Sequence, residues 1–445
     1  MNEVVIHQDD AEGGRNRFIF VLLLLLPIAS MALYGGVDTA TWTLISVAIF
    51  LLTAWWLAGA LRRGELEVTT SLLPLPIVLL GCVGLIQLLP LFKNDIPPEL
   101  PGSGAAALSL DPFSTLFLTI RIFAYAIFLT AALTFLNRRR AKIASLTVVI
   151  AGSLFAFFAI LQRIADPDTI YGLRTPFQAV PFGPLVNSHH FAAFMEMTGA
   201  LCFAMLLSNR IARQRKVLVA VAFVVMAAAC LMTGSRGGLL SFSAGLVFVF
   251  AIGRIYSARN GAEHRSRSLL TVAALAFAGV IVVMSVVLFA GGDGSLLRGL
   301  GIAGVQDDVS NGRTHFWSVA LRIFIDHPLL GTGLDTFGYA FPKYDTWPGQ
   351  FRVEQAHNDY LQMLADAGII GFGIAAAFIY LLFSRAMKQL SAANGADMTF
   401  RIGALGGCFA ILLHSFVDFP LRTPADAFFF LLLAAIAAGP ASTDA

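Results

Sequence analysis

The sequence predicts an all-α polytopic membrane protein of about twelve transmembrane helices, with one large extracytoplasmic loop containing amphipathic helices. Three observations carry that expectation. Of 445 residues, 57% are hydrophobic and 13% charged, with a mean hydropathy of +0.77, whereas a soluble domain carries about a quarter charged residues. Apolar runs near the length that crosses a hydrocarbon core recur along the chain, separated by short charged connectors. Those connectors are alternately rich and poor in Lys and Arg, as the positive-inside rule requires.

The apolar runs fall near residues 18–34, 40–60, 71–92, 113–136, 142–163, 190–208, 215–233, 237–254, 267–290, 369–386, 399–418 and 425–440. The first could pass for a signal-peptide core, and Ser30-Met31-Ala32 faintly resembles a cleavage site. Its length suits a retained span, which is the expectation here. Basic connectors hold Arg15 and Arg17; Arg62 and Arg63; Arg138, Arg139, Arg140 and Lys142; Arg210, Arg213, Arg215 and Lys216; Arg254, Arg259, Arg265 and Arg267; and Arg385 and Lys388. In the connectors between them Lys93, Arg174, Arg236 and Arg422 stand nearly alone. Both termini are therefore expected on the cytoplasmic side, with residues 1–445 forming a single integral membrane domain. The net charge of +3 reads as a topology signal, and no nucleic-acid partner is expected. Cys82, Cys202, Cys230 and Cys408 all lie in apolar runs without metal-ligand spacing, so neither disulfides nor a metal site is expected.

Three outward connectors are long. Residues 93–112 are rich in Pro, Gly and Ala and read as a surface loop. Residues 164–189 lead through Gly183-Pro184-Leu185-Val186-Asn187-Ser188-His189-His190 into the sixth span. Residues 291–368 form an extracytoplasmic subdomain in which two helices are readable. Ser310 or Asn311 can cap a helix placing Arg313, Trp317, Ala320, Leu321 and Phe324 on one face, ending near His327-Pro328. Glu354 is expected to open a second, with His357, Leu361, Leu364 and Gly368 on a shared face turned towards the bundle.

The candidate chemistry gathers on that side. His357, followed by Asn358, is a candidate general base at the membrane surface. Arg313 and Arg236 are candidate anion binders, since a guanidinium fork suits phosphate or carboxylate. Arg236 also reads as an interfacial anchor. Arg121 and Glu196 lie about two turns inside the fourth and sixth spans, as a structural pair or as substrate contacts. His414 and Asp418 stand one turn apart near the outer end of the eleventh span, where a shared hydrogen bond is preferred to a metal site.

His357-Asn358 with Gly368 and Gly371 resembles the signature of the O-antigen ligase/polymerase superfamily. So do Ser235-Arg236-Gly237, Gly312-Arg313 with Trp317, and His327-Pro328-Leu329 with Gly331 and Gly333. Phe182-Gly183-Pro184 with Asn187 and His190-Phe191-Ala192 is similar too, as is His414 with Val417-Asp418-Phe419 and Leu421. The likeness covers roughly residues 180–425. It implies a metal-independent, cofactor-free glycosyltransferase at the outer face of the bacterial inner membrane. The donor would be a glycan on undecaprenyl diphosphate, and the acceptor a hydroxyl of lipid A–core, of a growing glycan or of a protein. By motif, Arg236 and Arg313 would bind the diphosphate and His357 would act on the acceptor. His189 departs from the pattern, standing where relatives often have a second Asn, which leaves the roles of Asn187, His189 and His190 open. The ligase reading leads narrowly over a repeat-unit polymerase. From a different class, a lipid-linked glycan transporter or flippase suits the intramembrane Arg and Glu, but the two halves of the chain show no symmetry. A pure scaffold gives no reason for His357 and the arginines to converge.

Overall fold

A computed structural model describes residues 3–93, 105–177, 179–259, 312–349, 352–393 and 395–440. The described residues are overwhelmingly helical. In chain order the helices are α1 (Glu3–Ala32), α2 (Thr39–Arg63), α3 (Leu75–Gln87), α4 (Pro112–Phe135), α5 (Arg138–Ala165), α6 (Ser188–Leu207), α7 (Arg213–Met232) and α8 (Arg236–Arg259). After these come α9 (Arg313–Asp326), α10 (Phe337–Tyr344), α11 (Asp359–Ala392), α12 (Gly395–His414) and α13 (Pro424–Ala438). A two-residue ladder, Phe92–Lys93 against Ala105–Ala106, sits in the connector before α4. Among the described residues, seven helices are long and apolar enough to cross a membrane: α2, α4, α5, α6, α7, α8 over Arg236–Tyr256, and α11. Asn16–Ala32, α3 and α13 are shorter apolar helices. The span expected at 267–290 lies outside the described residues.

The bundle is built around α6, which is buried along nearly its whole length and packed by α5, α7, α8 and α12. Small residues let the backbones approach: a Cβ on Gly407 of α12 would come within 2.8 Å of the Met197 carbonyl oxygen. Connectors poor in Lys and Arg meet at one end. Arg174 Nη1 lies 2.6 Å from Asp38 Oδ2, and Tyr171 donates to the Ala32 carbonyl at 2.7 Å. At the end of α3, Gln87 Nε2 donates to the carbonyls of Leu330 (2.6 Å) and Asp366 (2.9 Å), while its Oε1 accepts from Leu334 N at 2.9 Å. One buried amide thus ties the α9–α10 connector and α11 to the bundle.

That region differs from the sequence expectation in three respects. The first helix begins at Arg313 after Gly312, which takes φ +81°; Ser310 and Asn311, the expected caps, lie outside the described residues. Its inner side is Val319, Ala320 and Ile323, packed on Phe337, Phe341 and Ala365, whereas Leu321, expected inside, is 43% exposed. Glu354 opens no helix: Asn358 is the N-cap of α11, its Oδ1 accepting from Tyr360 N and Leu361 N at 3.0 Å. A short polar side chain that bonds the freed N–H groups fixes the start there. The expected surface helix and the tenth span are one element, kinked at Gly368 (φ +63°, ψ −164°). Around that kink Ile369 N donates to Pro328 O (2.8 Å), and Thr332 N and Gly333 N donate to Ala365 O and Asp366 O (3.0 Å each).

A candidate active site at one end of the bundle

The segment leaving α12 organises the site. The helix ends at His414, and Asp418, one turn further on, is 1% exposed. Its Oδ2 accepts from Arg313 Nη2 at 3.2 Å, and its Oδ1 lies 3.3 Å from His357 Nδ1. His189 Nδ1 is 3.9 Å from Oδ2. Burial opposes ionisation of Asp418, but the His357 hydrogen bond and the neighbouring His189, His357 and His190 outweigh it. The carboxyl is held well below the ordinary carboxylate range.

His357 occupies the left-handed region at φ +50°, in the turn before the Asn358 cap. Trp317 Nε1 donates to its carbonyl at 3.4 Å. Its ring stands between Phe419 (centroids 4.8 Å) and Phe316 (6.1 Å), with the side chain 30% exposed. A backbone rarely seen for a side-chain-bearing residue therefore aims an accessible imidazole at a buried carboxylate. Both ends of the Asn358 amide are engaged. Besides capping α11 it donates from Nδ2 to Phe416 O at 2.8 Å, and Asp359 is tied to Ser415 by two bonds of 2.9 Å. These contacts lock the start of α11 to the Asp418 segment.

Arg236 is the first residue of α8 and is exposed. Its neighbour Gly237 packs so closely on this segment that a Cβ would come 2.7 Å from Val417 and 3.3 Å from the His414 ring. Arg236 therefore starts its helix beside the loop that carries Asp418. Asn187 is the N-cap of α6, accepting from His189 N at 2.9 Å. His190 is buried, 2.6 Å from Thr423 Oγ1 through Nδ1, with its ring edge-on to Phe419 at 4.8 Å.

Two expected pairings are replaced. Glu196 meets His414, with Oε1 2.8 Å from Nδ1 and both fully buried; Arg121 instead lies 4.7 Å over the Trp42 ring, reaching Arg422 O at 3.5 Å. Depth along a span was readable, but the rotation of each helix about its axis was not. His414 and Asp418 are likewise each given other side-chain partners, because α12 stops at His414 and the chain turns before Asp418.

Arg422, read in the sequence only as a solitary outward cation, is the centre of a second ionic cluster. Its Nη1 lies 2.6 Å from Asp335 Oδ1, its Nη2 2.7 Å from Asp366 Oδ2, and its Nε 3.9 Å from Asp359 Oδ1. Burial disfavours its charge, yet Asp366, Asp335 and Asp359 outweigh that and raise it above its ordinary value. The available signal was Asp366 itself, an acid at the threshold of the tenth apolar run, where an unpaired charge is costly.

Fold and site together define a helical membrane protein with a histidine–carboxylate–arginine cluster at one end of its bundle. Residues 221–376 match the family model described as O-antigen ligase, so the resemblance to the O-antigen ligase/polymerase superfamily is borne out. The matched stretch contains Arg236, Arg313 and His357, while Asp418 and Arg422 lie beyond it. The family implies a membrane glycosyltransferase-like enzyme of ligase or polymerase type, working on lipid-linked glycans. No curated protein matches the chain.

Proposed function

We propose that the protein transfers a glycan from undecaprenyl diphosphate to a sugar hydroxyl at the periplasmic face of the bacterial inner membrane, as an O-antigen ligase. The observation that supports this most directly is the buried Asp418 carboxylate holding His357 Nδ1 on one oxygen and Arg313 on the other. With the Nδ1 proton directed at Asp418, His357 Nε2 is the acceptor left to face substrate. The acceptor hydroxyl oxygen attacks the anomeric carbon as its proton passes to Nε2. The bond from that carbon to the phosphate oxygen breaks, undecaprenyl diphosphate leaves, and a single displacement inverts the centre. Arg313 has one N–H on Asp418, and a guanidinium has five; those remaining, with Arg236, stabilise the charge that grows on the diphosphate. Neither a metal nor a cofactor is invoked. The arrangement favours an enzyme over a transporter, whose key groups belong at mid-membrane.

Purified protein supplied with a defined undecaprenyl-diphosphate oligosaccharide, with and without lipid A–core, tests the assignment. A single-step product that requires lipid A–core establishes the ligase, and a ladder formed without it establishes the polymerase. Folded protein that consumes no donor in either condition refutes both. In the same assay Arg236→Lys is expected to lower turnover at normal protein yield, because a point charge cannot replace a two-pronged fork. Near-normal turnover would remove Arg236 from the diphosphate site.

A further inference from the structure

Trp347 is held flat next to Phe316, the ring that neighbours the proposed base, in a way the chemistry above does not use. It follows α10, and three contacts fix it. Asp345 Oδ1 accepts from Trp347 N at 2.9 Å and lies 2.7 Å from His315 Nε2. The His315 ring stacks on the indole, with centroids 4.1 Å apart and planes 6° from parallel. Gly312, at φ +81°, passes so near that a Cβ would sit 3.1 Å from the indole edge.

For all this restraint, Trp347 remains 47% exposed, while His315 and Asp345 are largely buried. A tryptophan that merely anchors a membrane interface needs an amphipathic ring at headgroup depth, not one fixed orientation. Pinning an indole removes rotamer freedom before anything binds, which favours a ligand that needs a flat apolar surface in a set place. The surface is continuous with the site: the Phe316 ring lies 6.0 Å from Trp347 and 6.1 Å from His357. A pyranose ring suits it, since one face is a patch of C–H bonds and its hydroxyls project from the rim. Gly312 and His315, which seat the indole, flank Arg313 in sequence, so the platform and the diphosphate ligand share one helix start.

We propose that Trp347 is a saccharide subsite, stacking on the apolar face of an acceptor pyranose and so presenting that sugar's hydroxyl to His357. This rests on the transfer reaction proposed above. The test is steady-state kinetics on the purified full-length protein, with acceptor and donor varied separately. Soluble core oligosaccharide released from lipopolysaccharide serves as acceptor, and the defined undecaprenyl-diphosphate oligosaccharide as donor. Trp347→Leu keeps an apolar side chain for any membrane contact but removes the flat face; Trp347→Phe keeps a flat face. Leucine is expected to raise the acceptor KM roughly tenfold, with kcat within about twofold and an unchanged melting temperature, and phenylalanine to restore most of the loss. An acceptor KM unchanged in Trp347→Leu, a rise confined to the donor KM, or a fall in kcat alone would overturn the subsite while leaving the transfer reaction standing. Absence of transfer by the wild type would overturn both, which separates the two failures.

Discussion

Asp418 is the residue on which the account turns. Its carboxyl is buried, favoured in the charged form by its neighbours, and shared between an imidazole and a guanidinium, so replacing it removes orientation from both at once. Asp418→Asn is expected to lower kcat by on the order of 10²-fold or more, with donor binding less affected, as when the orienting acid of a histidine base is lost. Single-turnover measurements separate the two effects, and a kcat within a few-fold of wild type would deny the dyad. The depressed acidity also carries a stability sign. A carboxyl whose folded value lies below its unfolded one contributes stability that is present above the unfolded value, near 3.9, and lost as pH falls through the folded value. Melting-temperature differences between wild type and Asp418→Asn should therefore hold steady from pH 8 to about pH 4 and shrink only below that. Loss between pH 7 and 5 would contradict the buried ion. The sequence made His357, Arg313 and Asp418 visible as reactive types on one side of the membrane, but not the contact among them. That contact depends on a helix ending four residues before Asp418 and on a left-handed turn at His357, and neither follows from apolar periodicity.

At the scale of elements, two glycines explain why the motif around His357 extends to the membrane. Gly331 and Gly368 both take positive φ, and each faces the other's strand of backbone: a Cβ on Gly331 would lie 2.3 Å from the Asp366 carbonyl carbon, and one on Gly368 2.4 Å from the Leu329 carbonyl. Backbone cannot give way as a side chain can. Gly368→Ala is thus expected to cost at least about 1–3 kcal/mol and to loosen the start of α11. Hydrogen exchange of residues 328–333 and 365–370 reads this directly, and unchanged protection would show the interlock to be dispensable. Arg422 closes the same junction from the other side. Arg422→Ala leaves Asp366 buried without its cation and is expected to cost about 3–5 kcal/mol, so a melting temperature unchanged in that variant would contradict the cluster. Each glycine was legible within its own motif, Gly368 with Gly371 and Gly331 with Gly333, but their meeting was not, because the two segments that interlock are more than thirty residues apart.

Over the whole molecule, the alternation of basic and nearly neutral connectors anticipated which loops would meet. Arg174 with Asp38 joins two connectors read as outward, while Gln87 with Leu330 and Asp366, and Asn358 with Phe416, each join such a connector to the outer end of a span. Charge bias works at this scale because it depends on counts in loops and not on side-chain angles. If that end faces the periplasm, a membrane-impermeant maleimide should label Phe177→Cys, at a position 96% exposed, in permeabilised-outer-membrane cells, and should spare Arg62→Cys until the inner membrane is opened. The reverse pattern would invert the topology and place the site in the cytoplasm. The central claim, that His357 is the base of a glycan transfer, is tested most directly by donor turnover. Purified wild type and His357→Ala are compared for release of undecaprenyl diphosphate from a defined lipid-linked oligosaccharide in the presence of acceptor. The account predicts that His357→Ala binds donor but turns it over at least about 10²-fold more slowly; equal turnover by a folded His357→Ala protein would contradict it.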